Sequence, residues 1–287
     1  MHIILYQYIY IYMKYTIILV TVGTFQDYII HNVKQLLLLG YDVVIITEKH
    51  NFFNFNKIKN INLIDSNELD VYNFDAKSKL DKNYRNGFSH LCSKRLFLVY
   101  SYMKKYNKKY IIHLENDVLL YINFSIFNNF NKDKIYLTMD SKERCIPGII
   151  YIPNSNVMIN LIKNYDFQKN DMKNMSEFYY NNKDIVNTFP IIDDNIDKCI
   201  YNENFKEFNS IFDGAAMGQY LGGVDPRNIK GDTTGFVNET CIIKYNKYNF
   251  KWIKKGEYSF PNIEIKGKLI PINNLHIHCK DLTKFSI

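Results

Sequence analysis

The chain has 287 residues, 47% hydrophobic and 23% charged, which is typical of a globular protein and excludes a disordered one. Its net charge of +7 is spread over lysine-rich loops without a nucleic-acid recognition motif, so we expect no nucleic-acid partner, whereas an anionic ligand such as a diphosphate fits. Five cysteines without a C-x-x-C pair argue against a disulfide framework or zinc ribbon and favour a reducing, cytoplasmic location.

The first residues allow two interpretations. Residues 1–13 are apolar and rich in tyrosine, but they lack a basic leading region and a small-residue cleavage site, which argues against a secretory signal. Lys14 interrupts the apolar run, so a membrane anchor is less favoured than a stretch upstream of a start at Met13. We therefore predict an N-terminal extension or upstream start over residues 1–13 and a single domain over residues 14–287.

The next segment has the pattern of a β-α-β unit. Residues 15–24 form an apolar, β-branched run that predicts a buried strand. Residues 26–39 carry apolar side chains at helical spacing, and Gly40 stands where a helix C-cap is expected. Residues 41–47 predict a second buried strand. Two such strands joined by a helix imply a parallel sheet.

The remaining pattern extends this α/β arrangement. Residues 50–87 are polar, with one short strand predicted at 61–64, and residues 166–210 give no clear assignment. Further helices are predicted at residues 89–106, 156–165 and 215–221. Further strands are predicted at residues 110–114, 135–139, 148–152, 236–243, 250–253, 263–265 and 275–278. We expect a Rossmann-like fold with a mixed, mainly parallel sheet flanked by helices.

Two acidic residues follow the predicted strand at residues 110–114. Glu115 and Asp117 are two positions apart, so on an extended chain they point to the same side, and they lie where open α/β sheets bind ligands. Two carboxylates there can hold Mn²⁺ or Mg²⁺, and the ion can act as a Lewis acid on a diphosphate. The alternative is a solvated acidic loop, but the apolar segment Val118–Leu120 that follows favours the metal site.

Two histidines near the C-terminal end can complete that site. His276 and His278 alternate along a predicted strand, and an imidazole can add to a metal shell begun by carboxylates. The alternatives are a pair of surface or core histidines and an H-x-H zinc hydrolase, but the hydrolase needs further ligands and only nine residues follow His278. We rank His278 first, because it lies nearer the end of the strand.

Asp213 is the candidate catalytic carboxylate. It precedes a short helix of small residues and is expected to cap that helix. The neighbouring glycine and alanines allow a ligand to approach the backbone closely, so Asp213 is also a candidate general base. Asp225 on the following loop is the runner-up, and Asp193 and Asp194 rank lower because they lie in a polar stretch.

Taken in order, these motifs resemble the GT-A type nucleotide-sugar glycosyltransferases, including glycosyltransferase-like proteins of large DNA viruses and bacteria. The resemblance rests on the strand end at residues 21–24, Lys94-Arg95, Glu115-Asn116-Asp117, Asp213 with Gln219, and the C-terminal residues 274–280, and it covers most of residues 14–283. It implies that Glu115 and Asp117 match the D-x-D motif and that a C-terminal histidine is the third metal ligand. The chain departs from the family in having Glu as the first acid and two candidate histidines.

The resemblance also implies a function. We expect a metal-dependent hexosyl- or pentosyltransferase that uses Mn²⁺ (or Mg²⁺) and a nucleotide-diphosphate sugar, preferably a UDP-sugar, to glycosylate a glycan or protein acceptor. Its location would be cytoplasmic, or the host cytoplasm or virion if the protein is viral. The alternative is a catalytically inactive sugar-nucleotide or glycan-binding protein. A sugar-nucleotide pyrophosphorylase is disfavoured, because residues 23–26 do not supply the glycine-rich segment that it needs.

The donor is expected at the carboxyl end of the first strand. The segment at residues 21–25 leaves the strand there, and the Phe25 ring can stack on a uracil. Arg95, on the helix before the acidic motif, can reach the donor phosphates. The residues predicted to bind the donor are Thr21, Val22, Gly23, Phe25, Arg95, Glu115, Asn116 and Lys280.

Overall fold

The computed structural model of the protein describes residues 15–123, 130–193 and 199–287. The predicted extension or anchor at residues 1–13 and the candidate Asp194 lie outside these ranges. Among the helices that the described ranges contain, none is both long and apolar enough to cross a membrane.

The described residues contain seven α-helices and twelve β-strands. The α-helices are α1 (Ile29–Leu38), α2 (Phe74–Lys77), α3 (Phe88–Lys105), α4 (Ser155–Lys163), α5 (Asp171–Asn181), α6 (Phe205–Phe208) and α7 (Ala216–Gly222). The strands are β1 (Thr16–Thr21), β2 (Asp42–Thr47), β3 (Ile61–Asp65), β4 (Ile111–Leu114), β5 (Val118–Leu120), β6 (Ile135–Ser141), β7 (Arg144–Ile152), β8 (Val186–Thr188), β9 (Asn249–Lys255), β10 (Tyr258–Ile265), β11 (Lys268–Pro271) and β12 (Asn274–His276).

A seven-stranded sheet in the order β3-β2-β1-β4-β7-β6-β8 forms the centre of the fold. The neighbours from β3 to β4 run parallel, as do β6 and β8, and only β7 is antiparallel to its neighbours β4 and β6. This topology confirms the predicted α/β class with a mixed, mainly parallel sheet flanked by helices.

The apolar run of β1 is buried on both faces of the sheet. Ile18 and Val20 belong to an apolar cluster that includes the buried side of α3, whereas Ile17 and Leu19 belong to a second cluster that includes α1. Successive side chains of a strand point to opposite faces, so a continuous apolar run is what a strand covered by helices on both sides requires.

The strand directions bring several segments to one edge of the sheet. Parallel strands β1 and β4 both end there, at Thr21 and Leu114. Because β7 runs antiparallel to β4, it begins at the same edge with Arg144. Ligands bind outside the carboxyl ends of strands in open α/β sheets, so this edge is where a site is expected.

A small antiparallel sheet adds the C-terminal chain to that edge. β12 pairs with β5, and His276 lies opposite Val118. β9, β10 and β11 form a separate three-stranded antiparallel sheet. The pairing of β5 with β12 brings His276 beside the acidic motif, although the two are far apart in sequence.

Two parts of the chain differ from the sequence prediction. The strand predicted at residues 236–243 is wrong: this segment is a loop in which the Asn238 side-chain oxygen accepts hydrogen bonds from the Thr240 backbone N–H (3.0 Å) and hydroxyl (2.6 Å). Such local side-chain bonds compete with a strand ladder. The unassigned stretch at residues 166–210 contains α5, whose N-cap Asn170 accepts a hydrogen bond from the Lys173 backbone.

Candidate active site

A cavity of about 370 Å³ lies along the carboxyl edge of the central sheet. Its wall starts at the end of β1, crosses the end of β4 and reaches the start of β7. Side chains of α3, α5 and α7 complete the wall, together with loops around residues 85–86 and 225–228. The volume is within the range of small-molecule sites, roughly 300–1,000 Å³.

Three potential metal ligands meet in the middle of this wall. One ligand atom each of Glu115, Asp117 and His276 lie within 4.8 Å of one another. The His276 Nε2 is 3.0 Å from Glu115 Oε2 and 3.3 Å from Asp117 Oδ1. Two carboxylates and one imidazole are a donor set that suits a divalent cation.

The backbone holds this group in place. Glu115 directly follows β4, and Asp117 directly precedes β5, whose partner β12 ends at His276. The backbone N–H of Ile277 donates to the Asp117 carbonyl over 2.8 Å. A Cβ on Gly148 would lie 2.9 Å from His276 Nδ1, so only glycine leaves room for the imidazole there.

Each carboxylate also has a cationic partner. Arg95 contacts Glu115 and donates from Nη2 to Asp171 over 2.9 Å, and Lys280 contacts Asp117. Burial alone would raise the pKa of Glu115, but Arg95 and His276 outweigh it and hold that pKa well below its usual range. In the same way, Lys280 and His276 outweigh burial and lower the pKa of Asp117. Both acids are therefore ionised near neutral pH, as metal ligands must be.

The tautomer of His276 follows from its second nitrogen. Nδ1 lies 2.8 Å from the Gly214 carbonyl oxygen, which can only accept, so Nδ1 carries a hydrogen. Burial lowers the pKa of His276, but Asp117 and Glu115 raise it well above its ordinary value. In this state Nε2 is also protonated and donates to the two carboxylates. Nε2 is the atom that a metal ion would take once the proton has left.

His278 also lines the cavity but is not one of the group of three. Its ring stacks on the His276 ring at a centroid distance of 4.2 Å, and burial lowers its pKa to about 3. The strand ends at His276, and a tight turn follows in which the His278 backbone N–H donates to the His276 carbonyl over 3.1 Å. This turn breaks the alternation expected from the sequence. The geometry thus brings His276, and not the higher-ranked His278, into the group with Glu115 and Asp117.

Two residues at the β1 end of the cavity, Thr21 and Asn116, have buried polar atoms without a partner among the described residues. Thr21, Val22 and Asn116, three of the residues predicted to bind a donor, line this end. The Asn116 Nδ2 donates to Gln26 Oε1 over 2.9 Å, which leaves its Oδ1 as an acceptor. That oxygen and the Thr21 Oγ1 are buried and have no hydrogen-bond partner among the described residues. Buried polar atoms are normally satisfied, so this end suits a polar ligand.

Two residues predicted to bind the donor are not part of the wall. Gly23 is exposed, and its backbone N–H donates to Glu48 Oε1 over 2.8 Å. The Phe25 ring packs edge-on against Phe55 at 5.6 Å. This contact places the Phe25 ring against Phe55 and away from the residues that line the cavity.

Asp213 is a structural residue in this geometry. It is 1% exposed, it does not line the cavity, and its carboxylate accepts hydrogen bonds from the backbone N–H groups of Met217, Gly218 and His276 over 2.8 to 3.0 Å. Burial raises the pKa of Asp213. The expected cap of the short helix is present, but the carboxylate does not reach the cavity, which argues against the predicted role as general base.

The cavity contains polar residues that the sequence analysis did not single out as site residues. Asp171, at the first turn of α5, and Arg144, at the start of β7, both line the wall. Of the residues named earlier, Asp225 also lines it and pairs with Arg85 (2.8 Å) and Arg227 (2.6 Å). Asp193 is fully buried and is not on the wall. Asp171 lies in the stretch without a clear pattern, so no local signal pointed to it.

Comparison with solved structures finds chains of similar architecture at low identity. The galactosyltransferase LgtC, solved with donor and acceptor sugar analogs, is 13% identical over 61% of this chain and 73% of its own, with a TM-score of 0.42. A glycosyltransferase involved in glycosylation of the major capsid of PBCV-1 is 8% identical over 61% of this chain and 81% of its own, with a TM-score of 0.38. A cytidylyltransferase from Leptospira borgpetersenii is 10% identical over 66% and 79%, with a TM-score of 0.39.

No protein-family model matches the chain, and no curated protein sequence matches it. The function of the chain is therefore inferred from the residues of the site.

Proposed function

We propose that the protein is a metal-dependent glycosyltransferase that moves a sugar from a nucleotide-diphosphate sugar, with UDP preferred over GDP, to an acceptor hydroxyl. The observation that carries this proposal is the group of Glu115, Asp117 and His276 in the middle of the cavity at the carboxyl edge of the sheet. The cavity extends to both sides of this group, which leaves room for a donor on one side and an acceptor on the other.

The metal fits the residues present. Two carboxylate oxygens and a nitrogen whose tautomer is fixed by Gly214 make a donor set for Mn²⁺ or Mg²⁺. When bound, the ion supplies Lewis-acid stabilisation of the charge that develops on the departing nucleoside diphosphate. Arg95 is buried between Glu115 and Asp171, so we assign it to holding Glu115 in position rather than to binding phosphate.

The nucleoside is assigned to the end at β1. A uracil N–H or a ribose hydroxyl can donate to the Asn116 Oδ1, and a ribose hydroxyl can bond the Thr21 Oγ1, the two buried oxygens that lack partners among the described residues. The diphosphate then lies at the centre, where Lys280 and Arg227 also line the cavity. Both cations keep part of their side chain in contact with solvent, so they can turn towards phosphate oxygens.

An acceptor hydroxyl must lose its proton during transfer, and Asp171 is the better placed base. Of the wall carboxylates outside the group of Glu115 and Asp117, Asp225 is paired with two guanidinium groups, whereas Asp171 is paired with one, that of Arg95. Asp171 also accepts a hydrogen bond from the Met172 backbone N–H over 3.0 Å. Burial outweighs Arg95 and raises the pKa of Asp171, which brings it closer to the range of a general base. We therefore propose Asp171 in place of Asp213.

The test is release of UDP from a panel of UDP-sugars, with GDP-mannose for comparison, in the presence of Mn²⁺. We expect EDTA to stop the release of UDP. We expect Asp117→Asn to reduce the rate of release about 100-fold or more, which corresponds to the loss of several kcal/mol of charge stabilisation. Asp184→Asn, at an exposed acid away from the cavity, is the matched control. A wild-type protein that binds UDP and Mn²⁺ but releases no UDP from any donor would instead be a sugar-nucleotide-binding protein.

A further inference from the structure

The cavity continues beyond the metal group to the start of β7. In the central sheet, β4 lies between β1 and β7, so Glu115 separates the end lined by Thr21 from the end lined by Arg144. Ile146 and Pro147 also line this second end, and the first turn of α5 adds Met172. If the nucleoside occupies the end at β1, the acceptor occupies this one.

A chain of fixed polar groups lines the second end. The buried carboxylate of Asp140 holds Arg144, whose Nε donates to Asp140 Oδ1 over 2.9 Å. The Asn238 Oδ1 accepts from Arg144 over 3.4 Å and from the Thr240 backbone N–H over 3.0 Å. Arg144 and the Thr240 N–H can only donate, so Asn238 must present its oxygen to them and its amide nitrogen to the other side.

That orientation determines what Gln219 offers to a ligand. The Asn238 Nδ2 donates to Gln219 Oε1 over 2.7 Å, so Gln219 is held with its oxygen towards Asn238. Its two amide N–H groups have no hydrogen-bond partner among the described residues, although Gln219 lines the cavity. Gln219 thus presents N–H donors whose direction is set by a chain that begins at Asp140.

The charge balance of this end selects the class of ligand. The guanidinium of Arg144 is matched by the carboxylate of Asp140, and both amides are neutral. The rest of this wall consists of the apolar side chains of Ile146, Pro147 and Met172 and of the Asp171 carboxylate, which is matched by Arg95. Fixed donors beside an apolar surface suit a sugar ring, which has hydroxyl groups at its edge and C–H groups on its faces. A phosphate, a carboxylate or a charged peptide would need a cation without a partner, and this end offers none among the described residues.

We propose that this second end is a subsite for a neutral, hydroxyl-rich sugar, and that the acceptor is therefore a carbohydrate rather than a protein side chain. The assignment as acceptor rests on the proposed glycosyl transfer, but the binding of a sugar at Gln219 does not. The two are tested separately, by sugar binding and by release of UDP.

The experiment is saturation-transfer NMR on the full chain with UDP and Mn²⁺. The probes are methyl α-glucoside, methyl β-galactoside and methyl α-mannoside, together with short peptides that contain Ser, Thr or Tyr. We expect at least one glycoside to bind and the peptides not to bind. In Gln219→Ala the Kd of that glycoside should rise about tenfold, as loss of hydrogen bonds worth about 1.4 kcal/mol requires. Gln219→Glu, which keeps the size but removes the N–H donors, should lose binding as well.

Gln168→Ala is the matched control, because Gln168 is exposed and away from the cavity. It should bind the glycoside like the wild type. The proposed ligand class would be overturned if a peptide bound and no glycoside did. It would also be overturned if neither a peptide nor a glycoside bound. Glycoside binding that is unchanged in Gln219→Ala would overturn the location. If a glycoside binds through Gln219 but no donor releases UDP, the sugar subsite stands and the proposed transfer fails.

Discussion

Replacing each of the two C-terminal histidines in turn separates the proposed metal ligand from its neighbour. His276 offers the nitrogen of the metal group, with Nε2 at 3.0 Å from Glu115 and 3.3 Å from Asp117, whereas His278 stacks behind it. We expect His276→Asn to raise the Kd for Mn²⁺ about 100-fold, equivalent to about 2.7 kcal/mol, and His278→Asn to change it less than about threefold. Isothermal titration with MnCl₂ in the presence of UDP measures both.

The pH dependence of Mn²⁺ affinity gives a second readout. In the metal-free protein the two carboxylates raise the pKa of His276 against the effect of burial, so its Nε2 carries a proton that the ion must displace. Below that pKa, affinity should therefore rise with pH, by up to about tenfold per pH unit for one proton released. The slope should be retained in His278→Asn and become shallower in His276→Asn.

Thermal denaturation must show that both variants are folded. This control is needed because His276 also bonds Gly214 and neutralises Glu115 and Asp117. The reasoning would be refuted if His278→Asn weakened Mn²⁺ binding as much as His276→Asn, or if both bound Mn²⁺ like the wild type. An equal pH slope in the two variants would show that another group releases the proton.

Three further predictions follow from the same geometry. The wild type should bind UDP more tightly than GDP in calorimetry with Mn²⁺, and GDP binding about tenfold tighter than UDP would reject the preference. Asp213→Asn should lower the melting temperature, because the helix cap would lose about 1–2 kcal/mol of stabilisation, while the folded protein keeps its rate of transfer. A large loss of rate at unchanged stability would instead support a catalytic role for Asp213. Asp171→Asn should reduce the rate of transfer about 100-fold and flatten the acidic limb of its pH profile, and near-wild-type transfer would exclude Asp171 as the base.

The sequence patterns that predicted the fold correctly were short-range ones, in which apolar residues recur with the spacing of a strand or a helix. The apolar run of β1 and the helical spacing of α1 each describe one element, and together they required a parallel sheet. Because ligands bind at the carboxyl ends of such strands, the position of Glu115 and Asp117 on the site followed from their place after β4. No long-range contact had to be known for these inferences.

The other half of the cavity depends on contacts that no local pattern contains. Asp171 comes from the start of a helix in a polar stretch, Arg144 from a hairpin, and Asn238 from a loop that resembled a strand. None of these three residues lies in a sequence motif that would mark it as part of a site. They form one wall only because β7 runs antiparallel to β4 and because Asn238 bonds Gln219, a residue on a different element.

Asp213 supports the site from a position outside the cavity wall. The side chains of a strand alternate, so a slip of one position between β12 and β5 would turn Ile277 towards the carboxylates and His276 away from them. The Asp213 carboxylate accepts the backbone N–H of His276 over 3.0 Å, and the Asn274 side chain donates to the Asp213 carbonyl over 2.8 Å. These bonds fix the register of β12 on one side, while the bond from Ile277 to Asp117 fixes it on the other. The carboxylate that the sequence suggested as a base thus helps to keep His276 beside Glu115 and Asp117.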